Sequence, residues 1–595
     1  MERVFTKASG RIGATAETVG RRRLTVQAIA GVVAFGLGFW GWLIKAPPHD
    51  FGGLLNDLFR TLQLITLHFP ADFDGTLPWQ LQIGRLAVPI VTVAATFDLV
   101  LGAITRPVRL ALLPMAKDHL VFFGSTRLAD ATADRLVGRG HKLVFVHPAL
   151  EAERLDALEG SGVTVVTADP FLPGVMEDLG IAGARAVFVA TGSDVDNANL
   201  AILVVEAMAK RPAAAAPVVA VEFDHEDLAE RLAETVDASA RARAIRFHRL
   251  SPDRDALAIE LTRHATTIVG DGTAPIHALV VGLAGDWQQV LSRLIVALQA
   301  RPDDVPIVTL LLDEAEALAF ERWRAAKPDL PLVAVIAVLP RAAGLLGEPA
   351  SRDDWRAATP PVAVAIVLRD DVDGLATALA LRRDADDLRS RDALLLVRQS
   401  REDHLLARLA DATDRAGAAP IAFGGLLRQE TVERLLDPAR ESRAIALHAH
   451  YLDASRTLGW NRTAAVAAWT ALAEDLRDAG RASADHLPIL LAAIGRSIDT
   501  WKPAEAARLD ASTWDRLARI EHRRWMADRI DHGWRHAPTR DDAARRHPCL
   551  VPWERLGEME RSKDLEAVRV LLSLDGSGTD AGGSGTDTGG EPAPT

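Results

Sequence analysis

The sequence predicts an α/β protein: two parallel β-sheets wound by helices, preceded by a transmembrane α-hairpin and followed by an all-α module. Three observations predict it. Between residues 118 and 437, short apolar runs alternate with segments of helical period, the pattern of strands joined by crossover helices. Two long apolar stretches stand within the first 106 residues. The chain has 13 Trp but 1 Tyr, and seven of the Trp (Trp460, Trp469, Trp501, Trp514, Trp525, Trp534 and Trp553) fall between 441 and 573.

Composition bounds the answer further. At 595 residues, 49% hydrophobic and 25% charged, the chain is folded protein of about four structural units, neither disordered nor fibrous. Cys549 is the sole cysteine, which excludes a disulfide framework and any multi-cysteine metal site. A net charge of -12 argues against nucleic acid as the partner, because phosphate-binding surfaces need clustered positive charge.

The first apolar stretch, Leu24 to Ile44, carries no charge and is long enough for the roughly 30 Å of a bilayer core. Trp40 and Trp42 near its end suit an interface. A second stretch runs from Leu86 to Ile104 with Asp98 inside it, a carboxylate that marks either a functional site or a pairing with a neighbour. Arg21, Arg22 and Arg23 precede the first stretch, and Arg106, Arg109 and Lys117 follow the second. The positive-inside rule then puts both termini in the cytoplasm of an inner-membrane protein with two spans. Between them Phe51 to Phe69 is amphipathic but too polar to span. Two spans around a short helix and an extended strand are the layout of a pore-loop subunit, with Thr61, Gln63, Thr66 and His68 at the filter position. An interfacial helix joining two anchors is the alternative. A two-span subunit encloses no pore alone, so conduction of an inorganic cation needs a homo-oligomer, with a tetramer as the favoured ring.

The first α/β unit opens at Val121 to Phe123, with later strands expected at Leu143 to Val146, Val163 to Val166 and Ala186 to Ala190. Its Gly124 turn, the segment TADPFLPGVMEDLGI and the segment ARAVFVATGSDVDNANLAI resemble the RCK (TrkA-N) domain, a Rossmann-like regulator of potassium channels and transporters. The resemblance implies NAD(H) or another adenine nucleotide at the strand ends. Yet the phosphate turn reads Gly124, Thr126, Ala129 where the dinucleotide fingerprint has three glycines, and Thr126 places a Cβ where backbone should approach pyrophosphate. His147 stands where a ribose-binding acid is expected, and Asp169 and Asp194 at later strand ends are candidate ligand contacts or solvated caps.

A diverged second copy begins near Ile276, with its turn at Gly282 and Asp313 in the ribose-acid position. Further strands are expected in VAVAIV, at Ala393 to Val397 and at Pro420 to Phe423. Neither unit carries a catalytic constellation, so no enzyme activity is expected.

From Glu441 the pattern is helical, with Ser512 as the expected N-cap of a long helix to Gly533. The residues Glu521, His522, Trp525, Gly533, Trp534, His547, Pro548, Trp553, Lys563 and Asp564 closely resemble the RyR domain, the repeat of ryanodine receptors. A related half-motif with His448, Trp469, Asp485 and His486 extends it. The resemblance implies a small nucleotide-type ligand held by Glu521, His522, Arg524, Trp525, Trp534 and Trp553, the rings stacking a base and the arginines holding phosphates. Trp at helical spacing is equally the signature of a packed core.

These readings divide the chain into a cytoplasmic N-terminus (1–23), two transmembrane helices with a re-entrant loop (24–106) and two Rossmann-like units (118–270 and 276–437). An RyR-like domain (441–573) and a Gly/Ser/Thr tail (574–595) complete it. Function is expected to be cation transport gated by a nucleotide-type ligand at the lipid membrane, or nucleotide sensing from a membrane anchor without conduction.

Overall fold

The computed structural model describes residues 29–66, 77–124, 136–137, 140–210, 217–223, 226–243, 245–270, 275–341, 360–383, 393–399, 420–424, 429–457, 468–472 and 474–574. The chain forms two compact units, Met1–Phe123 with Ala133–Arg185, and Gly124–Thr132 with Ala186–Thr595.

The first unit starts with the apolar helix Ile29–Lys45, the helix Phe51–Gln63 capped by Asp50, and the long helix Trp79–Leu112. Glycines let the first and third meet backbone to backbone. A Cβ on Gly84 would lie 2.5 Å from the Gly38 Cα, and one on Gly41 would lie 2.5 Å from the Leu81 nitrogen. Small residues at such a crossing are how helices associate where no hydrophobic effect drives them. Their other faces leave large apolar groups uncovered, Val32 at 74%, Phe51 at 73% and Ile90 at 66% exposure.

Trp79–Phe97 is long and apolar enough to cross a bilayer, whereas Ile29–Lys45 is apolar but shorter. The expected second span, Leu86 to Ile104, lies wholly within the helix Trp79–Leu112. Gln80, Gln82 and Arg85 cut the apolar run in the sequence, but all are good helix formers, and Gln80 is buried within the bundle. The helix Phe51–Gln63 ends in the 3-10 turn Leu64–Thr66. His68, the expected extended strand and the side chain of Asp98 lie outside the described residues.

Strands β1 (Leu120–Gly124), β2 (Leu143–His147), β3 (Thr164–Thr167), β4 (Ala186–Ala190), β5 (Val218–Glu222) and β6 (Arg246–Leu250) form one sheet in the order β3-β2-β1-β4-β5-β6. The paired strands run parallel, for example Val121 opposite Val144 and Val187 opposite Val219. A second sheet has the order β12-β11-β10-β7-β8-β9, from β7 (His277–Val281), β8 (Ile307–Leu312), β9 (Val335–Pro340), β10 (Ala363–Ile366), β11 (Leu394–Arg398) and β12 (Ile421–Phe423). The sequence reading passed over β5, β6 and β9. Strands β6 and β9 are edges, and edge strands keep polar or exposed positions that blur the apolar signal.

The C-terminal module packs the helices Pro438–Thr457, Glu474–Asp485, Leu487–Ala493, Ala511–Asp531 and Glu558–Ser573. It is not purely helical, because Arg535–His536 and Arg546–His547 form a short ladder. Asp510, not Ser512, caps the long helix, accepting from the Thr513 N–H at 2.7 Å. Met526, Ala527 and Ile530 from that helix share a core with Leu291 and Leu294 of the helix Trp287–Ala297 beside the second sheet. The terminal module is thus welded to that sheet by apolar packing.

Candidate functional site

At the first sheet, Gly124 has φ +104, and a Cβ there would lie 2.3 Å from the Ala190 carbonyl oxygen. Only glycine fits. Thr126 and Ala129 lie outside the described residues. His147 spends its Nδ1 on the Ala149 N–H at 3.1 Å, and Asp169 accepts from the Phe171 N–H at 3.0 Å, so both close local turns. Asp194 is buried at the start of the helix Asp194–Met208, where a carboxylate favours the helix dipole. Asn197, not singled out in the sequence, takes the Thr191 N–H at 2.7 Å and donates to the Glu222 carbonyl at 2.9 Å, tying the ends of β4 and β5 together.

The second sheet's turn is filled by the protein itself. Gly282 and Gly285 take positive φ. The backbone N–H groups that would cradle a phosphate are already bonded: Gly282 to the Leu311 carbonyl, Ala284 to the Val367 carbonyl, Leu283 to Glu316 at 3.0 Å and Asp286 to Asp253 at 3.3 Å. Asp313, the candidate ribose acid, has partners within the protein. It caps the helix Glu314–Ala325 in a reciprocal capping box with Glu316, and Arg341 bridges both carboxylates at 2.9 and 2.8 Å. Two carboxylates at an anion-binding turn repel phosphate.

The C-terminal module holds an open cavity of about 250 Å³. The helix Ala511–Asp531 supplies Glu521, His522, Arg524 and Trp525, and the following loop supplies Trp534 and His547. The half-motif forms another wall through His448 and Trp469, whose rings lie 5.8 Å apart. Trp469 rests on Gly480, where a Cβ would meet its ring at 3.3 Å, and donates its Nε1–H to Glu441 at 3.0 Å. The Trp525 ring stacks against His522 at 5.8 Å and meets the edge of His547 at 4.9 Å. Trp534 is 4% exposed, flanked by the Arg529 and Arg540 guanidiniums at 5.8 Å each.

Charge surrounds these rings. Arg524 and Glu521, both buried, make a two-pronged ion pair at 2.8 and 2.9 Å, and Ser483 donates to Glu521 at 2.7 Å. One Arg524 nitrogen, Nη1, and the Trp534 Nε1 have no hydrogen-bond partner among the described residues. His522 sits between two acceptors, Asp564 at 3.0 Å and the Val551 carbonyl at 2.9 Å, which calls for a proton on each ring nitrogen. Burial opposes that charge, but the Asp564 carboxylate outweighs it and raises the His522 pKa. His547 moves the other way, to about 4, through burial and then the Arg540 charge. Burial, then Glu560, pushes the Cys549 thiol up to about 12, so it is no nucleophile.

Five of the six residues expected to hold a ligand in this module line one cavity. Trp553 does not. It packs with Ala518, Val551 and Leu556 in a separate small core, its ring 5.8 Å from His522. Asp485 and His486 also turn away from the cavity, Asp485 to Arg434 and Arg440, His486 to the Gln299 carbonyl. Lys563 and Glu560, paired at 2.7 Å, complete the polar lining. Among the N-terminal helices Thr61 is fully buried against Gly38 and donates to the Asp57 carbonyl, Gln63 is half-buried, and Thr66 is exposed.

Two segments of the chain match known domain families. The TrkA-N domain family model matches residues 120–240, and the RyR domain model matches residues 506–574. Among solved structures, the GsuK channel shares 17% identity, with 71% of this chain and 98% of that chain covered at a TM-score of 0.35. GsuK bound to ADP shares 16% over 71% and 99%, at 0.33. The GsuK channel bound to NAD shares 15% over 69% and 82%, at 0.32. At such scores the whole chains do not superpose closely. The protein carries a TrkA-N domain over residues 120–240 and a C-terminal RyR domain over residues 506–574.

Proposed function

We propose that this chain is an ion-channel-like membrane subunit for potassium or another cation, gated by a nucleotide-type ligand that the RyR-domain cavity holds. It acts by binding rather than by turnover. The observation that supports the reading most is the seam between membrane helix and sheet. The helix Trp79–Leu112 runs on through the turn Leu113–Met115 with no free tether. A Cβ on Gly180 would lie 2.4 Å from the Leu113 carbonyl oxygen, and one on Gly183 would lie 2.2 Å from that of Ala116. Backbone contact this close passes a displacement of the TrkA-N domain directly to the helix. The uncovered apolar faces of the three N-terminal helices suit lipid and neighbouring subunits, with a tetramer in the inner membrane as the assembly.

The ligand in this reading is an adenine nucleotide, NAD(H) or a smaller one. A cavity of about 250 Å³ falls just below the roughly 300–1,000 Å³ of small-molecule sites, room for a base with its sugar. Rings for stacking and a spare Arg524 N–H meet the needs of base and phosphate. One observation favours a membrane-anchored sensor in a stress or defence pathway: Thr61 is buried inside the subunit instead of facing a conduction path. Potassium flux from proteoliposomes, with and without ADP, ATP and NAD, separates the two. Nucleotide-dependent flux is the expected result. Nucleotide binding without flux overturns conduction and leaves the sensor.

A further inference from the structure

A second, smaller cavity of about 110 Å³ lies in the same compact unit, lined by Arg254, Arg293, Arg434, Arg440 and a set of aspartates. We infer that its arginine cluster around Asp485 binds a small tetrahedral oxyanion of the inorganic phosphate class. The charges there do not close. Asp485 alone receives three guanidiniums, from Arg434 at 2.6 Å, Arg440 at 2.9 Å and Arg293 at 3.9 Å.

The other carboxylates on the cavity wall are already spent. Asp255 pairs with Arg254 at 2.9 Å, and Asp478 shares Arg481 with Glu441 at 2.7 and 2.8 Å. Asp528 pairs with Arg529 at 2.8 Å and Asp531 with Lys327 at 3.4 Å. One carboxylate against three cations leaves positive charge in surplus.

Arg293 carries most of that surplus. Its side chain is 16% exposed, and its contact with Asp485 at 3.9 Å is too long for a hydrogen bond. Its Nε has no hydrogen-bond partner among the described residues. Burial, and then the Arg434 and Arg440 charges, hold its pKa down to about 10 against the pull of Asp485. A guanidinium has five N–H donors in a planar fork that matches a phosphate edge, and burying them unmet is costly. Gln289, one turn earlier on the same helix, lines the cavity beside it. The cavity's volume equals that of three to four waters at roughly 30 Å³ each, the scale of one small oxyanion.

Such an anion would join three segments. Arg293 belongs to the helix Trp287–Ala297, Arg434 to the helix Gln429–Leu436, and Arg440 to the helix Pro438–Thr457. The helix Glu474–Asp485 brings Asp485 to this cluster and also places Gly480 and Ser483 on the wall of the aromatic cavity. Occupancy therefore stiffens a wall of the ligand site without entering it.

The test is thermal melting of the full chain in detergent, titrated with inorganic phosphate at constant ionic strength against gluconate. The expected result is a saturable rise in Tm with phosphate alone. Arg293→Met, which removes an under-paired charge, should fold and weaken that response at least tenfold. Arg293→Lys keeps the charge, loses the fork and should weaken it too, which covers the case that the Met variant does not fold. Trp525→Leu should respond to phosphate as wild type does, and loss of its nucleotide response alone would concern the other cavity. Equal curves for phosphate and gluconate, or an undiminished phosphate response in either Arg293 variant, overturn the site.

Discussion

The turn after β7 and the cavity of the C-terminal module make an instructive pair, because residues typical of nucleotide sites occur at both. At the turn, Gly282 and Asp313 stand where a dinucleotide fold would use them, yet Glu316, Asp253 and two carbonyls have taken the donors. The geometry of a phosphate cradle persists there as a scaffold, with carboxylates in place of the ligand. In the cavity, by contrast, the rings of Trp469 and Trp525 line open space with Trp534 behind them in the core, and Arg524 keeps a nitrogen with no partner among the described residues. The difference teaches that a motif position indicates a site only when its hydrogen-bond capacity has not been met from within.

The strongest way to break this contrast is to attack the cavity's own ion pair. Arg524→Met leaves Glu521 buried beside Ser483 without its cation, and about 3–5 kcal/mol of stability should be lost. Adding Glu521→Gln should restore most of it. Denaturant unfolding of the two variants checks this, and a loss under about 1 kcal/mol in the single variant would mean the pair is not closed in solution.

At the turn, Glu316→Ala removes the capping box and leaves the Leu283 N–H without its acceptor, for a loss of about 1–3 kcal/mol. Nucleotide affinity of the whole protein should not change. A gain in affinity would show that the turn is a masked site and would erase the contrast.

A smaller effect is expected in the pH dependence of melting, where two histidines of the cavity act with opposite sign. The His522 pKa is raised in the folded chain, so its contribution is complete below about 6.5 and disappears as pH rises through the folded value. The His547 pKa is lowered to about 4, so stability falls as pH drops from about 6.5 toward 4, where the unfolded chain takes up the proton first. His522→Gln should flatten the alkaline limb of a Tm–pH curve and His547→Gln the acid limb. An alkaline limb unchanged in His522→Gln would remove the imidazolium–aspartate pair from the account.

Much of this was legible in the sequence where signals are local. Most central strands read as apolar runs because both of their faces are covered, β4 being buried at every position, whereas β5, equally central, went unread. The Glu521-to-Asp564 motif identified one wall of the cavity because its residues lie on two helices and the loop between them. Edge strands failed that test, as Arg246–Leu250 shows with two arginines and a histidine in five residues. Trp553 is expected at the ligand because the motif carries it beside Trp525 and Trp534, but a motif does not tell which of two neighbouring pockets a ring enters; from the 3-10 turn Trp553–Arg555 it fills the core beyond His522. The closure of the second turn depends on Arg341 reaching back to Asp313 and Glu316, and the arginine cluster gathers Arg293, Arg434, Arg440 and Asp485 from far apart in the chain. Neither has a local signature.

The central claim is that ligand recognition resides in the RyR-domain cavity and not in the degenerate turns of the two sheets. Calorimetric titration of ADP, ATP and NAD into the full chain, wild type beside Trp525→Leu and His147→Ala, tests it most directly. Trp525→Leu should keep its fold and lose about 1–3 kcal/mol of affinity, the value of one base stack, while His147→Ala binds as wild type. Unchanged binding in a folded Trp525→Leu, with binding lost in His147→Ala, would contradict the account.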